Sequence, residues 1–142
     1  MTEILFYTHV EDKLQTACAI TSKALARGMR VMLFTRDASM TDNLSRMLWS
    51  TPSTGFVPHC RCDHRLAPIT PVIVDHLSEP LIHDQVLVNL RDDTPPFFSR
   101  FVRLAEIVST GAQDREAARS RFRFYRDRGY EITSHQLGGS QS

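Results

Sequence analysis

Glycine is scarce in this chain and lysine is nearly absent. The six glycines begin only at Gly28. The first turn, YTHVEDKLQTA, therefore has none where a nucleotide-binding α/β fold brings its backbone against a phosphate. The second such turn, FTRDASM, has none either, and no GxxxxGK[ST] occurs anywhere. No nucleotide cofactor is expected. GxSxG is also missing, and nothing groups a nucleophile with a base and an orienting partner, so no catalytic residue is expected. Three cysteines, an odd number, do not suggest a disulfide framework. No stretch approaches the roughly 18 apolar residues that a membrane span needs. MTEILFYTHVEDK has no basic n-region and too short an apolar stretch for a signal peptide. A reducing, cytoplasmic location is expected, with no membrane partner.

Only Lys13 and Lys23 are lysines, so fifteen of the seventeen basic residues are arginine. Arginine carries a planar fork suited to carboxylate and phosphate. Codon bias would produce the same usage, so composition alone does not decide the ligand. Formal net charge is +1, which leaves electrostatic function to local segregation. Between Arg115 and Arg128 six arginines face only Glu116 and Asp127, an excess of four.

With 142 residues the chain suits one domain. Glu3 to Thr8 reads as a buried strand. Glu11 to Gly28 has apolar residues at three- and four-residue spacing and reads as a helix stopped by Gly28. Arg30 to Phe34 is a second strand. A second helix, with Asp37 or Ser39 as cap, runs to about Trp49. This β-α-β-α pattern predicts a single-domain, three-layer, Rossmann-like α/β fold. Its sheet is mainly parallel, with helices on both faces. Residues 50–71 look irregular. Val72 to Leu77 and Gln85 to Leu90 are further strands. DDTPPFFSRFVRLAEIV predicts a third helix, although Ala105 to Val108 fits either its end or another strand. Gln113 to Arg128 predicts the last helix, ended by Gly129, and YEITSH a final strand. The domain is expected to span residues 1–135, with a disordered tail at 136–142.

Four motifs stand out. PHCRCDH gathers His59, Cys60, Cys62 and His64. Its CxC spacing is not the usual zinc knuckle and no second cluster completes it, so neutral loop residues are expected and no metal. LWSTPSTGFVPH holds the only tryptophan, Trp49, and Phe56 in a loop. Both suit either the core or the wall of an apolar pocket. In TPPFFSRFV a helix would put Phe97 and Phe101 on one face with Phe98 beside them, a second apolar side for a partner to cover. On a helical wheel Arg115, Arg119, Phe122, Arg123 and Arg126 occupy about a quarter of the circumference. Ala117, Ala118, Phe124 and Tyr125 lie roughly opposite. Arg121 and Arg128 project near that apolar arc, with stems able to snorkel. Phosphates, an acidic peptide or the chain's own carboxylates all fit such a stripe. Near-neutral total charge argues against phosphates, and a Phe among the arginines argues for an acidic peptide with an apolar anchor.

Trp49 with Phe-Val-Pro-His seven residues on, the PVIVDH and QVLVNL strands, and RSRFRFYRDRGYEI together resemble the chi subunit family of bacterial DNA polymerase III. The resemblance runs over essentially the whole chain. It implies a non-catalytic adaptor that pairs with the psi subunit and reaches the clamp loader through it. It also implies binding of the acidic, Phe-ending C-terminal tail of single-stranded-DNA-binding protein, so that nucleic acid is met only indirectly. Carried over residue by residue, that tail site comprises Trp49, Phe56, Val108, Arg115, Arg119, Phe122 and Arg123. Psi is assigned to Phe97, Phe98 and Phe101. The alternative is a module that binds single-stranded nucleic acid directly through arginine and stacked aromatics.

Overall fold

The computed structural model describes residues 1–50, 57–80 and 82–137. Among them are seven strands: β1 (Glu3–Val10), β2 (Val31–Phe34), β3 (His59–Cys60), β4 (Val72–Asp75), β5 (Val86–Asn89), β6 (Arg103–Ser109) and β7 (Ile132–Gln136). Three α-helices accompany them: α1 (Lys13–Ala26), α2 (Ala38–Ser50) and α3 (Ala112–Asp127). All strands are parallel and form one sheet in the order β3-β4-β2-β5-β6-β1-β7.

Local signals set the helix ends. Asp12 caps α1 by accepting from Gln15 N at 3.1 Å, and Asp37 caps α2 by accepting from Met40 N at 2.8 Å. Gly28 and Gly129 follow α1 and α3 with φ of +75° and +84°, which any side chain would strain. The central strands are continuous apolar runs because both faces are covered. Val31, Leu33, Val72 and Val74 pack toward α1 and α2. Met32, Phe34, Leu87 and Leu104 pack toward α3 and its neighbouring aromatics.

The expected third helix is not formed. Phe98–Arg100 makes one 3₁₀ turn, and the chain then enters β6, paired with both β1 and β5. Hydrogen bonding on both sides of a central strand outweighs the apparent helical spacing of its apolar residues, all buried from Leu104 to Val108. Phe97, Phe98 and Phe101 therefore share no outward helical face. They are 9%, 6% and 2% exposed, inside the α3-side core. Phe98 meets Tyr125 at 5.1 Å between ring centres, and Phe97 meets Phe34 at 5.0 Å. These three rings present no exposed apolar face among the described residues. Two smaller differences concern β3, an edge strand inside the segment expected to be irregular, and β7, which continues through Gln136. Leu137 N then donates to Thr8 O at 2.9 Å, beyond the domain end expected at 135. Residues 138–142 lie outside the described residues.

α3 is held to the sheet by a buried polar network. Glu106 on β6 is fully buried. It accepts from Arg121 Nε at 2.9 Å, Tyr125 Oη at 2.5 Å and Asn89 Nδ2 at 3.0 Å. Arg121 also donates to Asp92 O at 2.6 Å, while its Nη2 is buried without a partner. Burial pushes the Glu106 carboxyl upward, against the pull of Arg121, Tyr125 and Asn89. Burial and Glu106 push the Tyr125 phenol far up, so it stays a donor. Removing one member strands another charge in a dry site. Glu106→Gln should lower the unfolding free energy by roughly 3–5 kcal/mol in urea titrations, and an unchanged midpoint would deny the pair any structural role.

Candidate functional site: an arginine-rimmed cleft between α3 and the sheet

Burial of Arg121, Ala118 and Tyr125 sets which way α3 faces. Phe122 lies some 70° to one side of that inward direction. It is thus half-buried rather than outward, and its ring packs 5.5 Å from Phe6 on β1. Beside it opens a cleft of about 240 Å³. Phe6, Val108, Ala118 and Phe122 make its apolar surface, and Arg115 and Arg119 stand at its rim.

The rim charges are available. Arg115 has no ion pair or side-chain hydrogen bond among the described residues. Arg119 holds Glu116 at 2.9 Å, but both are exposed. Such a surface pair is worth little and exchanges readily for another carboxylate. Arg123 is exposed on the same helix, within 3.5 Å of Ser120 Oγ, and does not line the cleft. Arg128 lies over the Phe124 ring at 3.6 Å, and Arg126 holds Asp127 at 3.3 Å.

Nothing in the sequence marked the opposite wall. There β1 carries His9, one residue before its end, a non-glycine residue at φ +59°, where the pairing with β6 shifts between Tyr7 and Val10. His9, Thr8, Ser109 and Ser134 line the cleft. Asp114 ties this corner together by accepting from Ser109 N at 2.7 Å and Lys13 Nζ at 3.2 Å. Burial would raise the Asp114 carboxyl, but Ser109 and Lys13 hold it below its ordinary range.

Trp49, the described member of the aromatic pair carried over from the resemblance, is not beside this cleft. Trp49 ends α2, is 63% exposed and meets His59 on β3 with ring centres 6.4 Å apart. β3 and the β1–β7 pair lie at opposite ends of the sheet. Phe56 falls within 51–56, outside the described residues.

The family model described as "DNA polymerase III chi subunit, HolC" matches residues 1–133. The chain belongs to that family. The chain is 35% identical over 141 residues to the DNA polymerase III subunit chi of Pseudomonas aeruginosa, covering 96% of this chain and 98% of that one. It is 22% identical over 125 residues to the subunit chi of Haemophilus influenzae, 87% of each chain. This chi-family chain thus falls within DNA replication.

The cysteine-histidine loop has local partners. His59 engages Ser45 Oγ at 2.7 Å and Val57 O at 2.6 Å, while His64 Nδ1 accepts from Leu66 N at 3.0 Å. Cys62 Sγ donates to Ser78 O at 3.2 Å, and burial with nearby Asp75 pushes its thiol up to about 12. No group of three metal-ligating side chains gathers among the described residues. Asp75 organises the loop instead, accepting from Arg61 Nη2 at 3.1 Å and from the Cys62 and Leu77 amides, each at 2.8 Å. Burial would raise its carboxyl, but these donors hold it below the ordinary range. Its stabilisation is complete above the unfolded value near about 3.9 and disappears as pH falls through the lower folded value. Asp75→Asn should cost roughly 1–3 kcal/mol at neutral pH. The difference from wild type should close in acid below about pH 4, as read from urea melts across pH.

Proposed function

We propose that this chi-family chain is a non-catalytic adaptor that binds the acidic C-terminal tail of single-stranded-DNA-binding protein in the cleft beneath α3. One observation carries the reading. Val108 and Phe122 line an apolar cleft whose rim holds Arg115 and Arg119. The terminal phenylalanine of such a tail needs an apolar slot, and its carboxylates need positive donors. Arg123 extends the charge along α3 for carboxylates further from the terminus. Pairing with psi, and through it with the clamp loader, completes the adaptor role. Psi would dock on a surface other than the enclosed Phe97, Phe98 and Phe101. A cytoplasmic setting suits these partners, and no helix among the described residues is long and apolar enough to cross a membrane.

The Arg stripe leaves direct binding of single-stranded nucleic acid as the second reading. That reading needs successive aromatic faces open for stacking. Among the aromatics of α3, Tyr125 is buried and Phe122 and Phe124 are half-buried.

Titration with an acidic Phe-ending peptide tests the first reading. Arg119→Ala and Phe122→Ala should each weaken binding by roughly 1–3 kcal/mol. Trp49, carried over from the family resemblance, stands outside the cleft, so Trp49→Ala should weaken binding less than Arg119→Ala does. Unchanged affinity in both cleft variants would remove the site. Tight, steeply salt-dependent binding of a bare oligonucleotide would favour the second reading instead.

A further inference from the structure

A second cleft lies on the opposite face of the sheet. It occupies about 370 Å³ between α1 and the strands beside it. Its floor is apolar: Tyr7, Ile20, Ala24, Ala105 and Leu137 converge there, all belonging to or packed against the α1-side core. α1 packs chiefly over β2 and β6, and among the described residues no helix packs extensively over the β1–β7 end of the sheet beside it. The lining runs along α1 from Thr16 to Arg27 and on to Met29. That length is about three helical turns, roughly 17 Å. A slot beside a helix on a sheet face, open on its far side, has the shape of one missing helix in the layer.

The rim charge has one sign. Lys23 projects from α1, Arg27 from its C-terminal cap, and Arg103 from the start of β6. α1 itself contains no aspartate or glutamate. Neither Lys23 nor Arg27 enters an ion pair among the described residues, and Arg103 holds only Glu3, at 3.0 Å. Lys23 and Arg27 are therefore not neutralised among the described residues, whereas Arg103 is partly offset by Glu3.

We infer that this groove is a docking site for an acidic amphipathic helix from a partner protein. Its apolar stripe would seat on Tyr7, Ile20 and Leu137, and its carboxylates would meet Lys23, Arg27 and Arg103. The helix-in-groove mode needs an apolar trough plus flanking charge, and both are present. The site is separate from the α3 cleft by the thickness of the sheet, so both can be filled at once.

The test uses a fluorescent helical peptide of about 14 residues, leucine on one face and glutamate on both flanks, and a counterpart with lysine for glutamate. Binding to the full chain is followed by anisotropy. The acidic peptide should bind saturably. The double variant Lys23→Glu, Arg27→Glu should weaken it about tenfold or more and should gain binding of the lysine peptide. Arg119→Ala should leave it unchanged, which separates this site from the α3 cleft. Lys23 and Arg27 are exposed, so the double variant leaves the core intact. No saturable binding below about 1 mM, equal binding of both peptides, or loss with Arg119→Ala in place of the double variant would overturn the proposal.

Discussion

The pair of buried charges Arg121 and Glu106 is the constraint on which the surface chemistry depends. An ionised guanidinium cannot enter an apolar layer alone. Arg121 enters because β6 presents a carboxylate there, itself shared with Tyr125 and Asn89. That choice sets the rotation of α3. Once Arg121 and Tyr125 face the sheet, Phe122 must flank it, and Arg115 and Arg119 must come up at its border. An internal salt bridge thereby decides which arginines remain for a ligand.

The same logic explains why one helix can carry six arginines without being a uniform basic rod. Arg121 is consumed by the core and Arg128 lies over the Phe124 ring, while Arg126 and Arg119 hold only the exposed partners Asp127 and Glu116. Arg115, Arg119 and Arg123 remain exposed along one side. Three charges on one flank beside an apolar slot favour a short acidic segment over an extended polyanion, since a polyanion needs a long basic track.

The fold is an all-parallel sheet with helices on both faces, yet phosphate-cradling glycines are missing from its first turns. At the end of β1 the left-handed backbone falls on His9, a polar side chain facing the cleft, where a nucleotide-binding fold would use glycine. The architecture thus provides a crevice at the strand ends and a rim suited to carboxylates.

Much of this was legible in the chain itself. The β-α-β-α opening, the caps at Asp37 and Gly129, and the last helix followed from period, punctuation and propensity, because those signals are local. The lack of glycine in the first turns was also purely a sequence property. The helix expected from Pro95 onward does not form, and Ala105 to Val108, which by spacing fits either a helix end or a strand, is a strand because Arg103–Ser109 pairs with β1 and β5 on both sides. The wheel of α3 correctly separated arginines from alanines and Tyr125, but it could not know that Glu106, fifteen residues away, would draw Arg121 inward. Nor could it place His9 opposite Arg115, or Trp49 at the far edge of the sheet. Those placements depend on strand order and on buried charge, which are properties of contacts between residues distant in the chain.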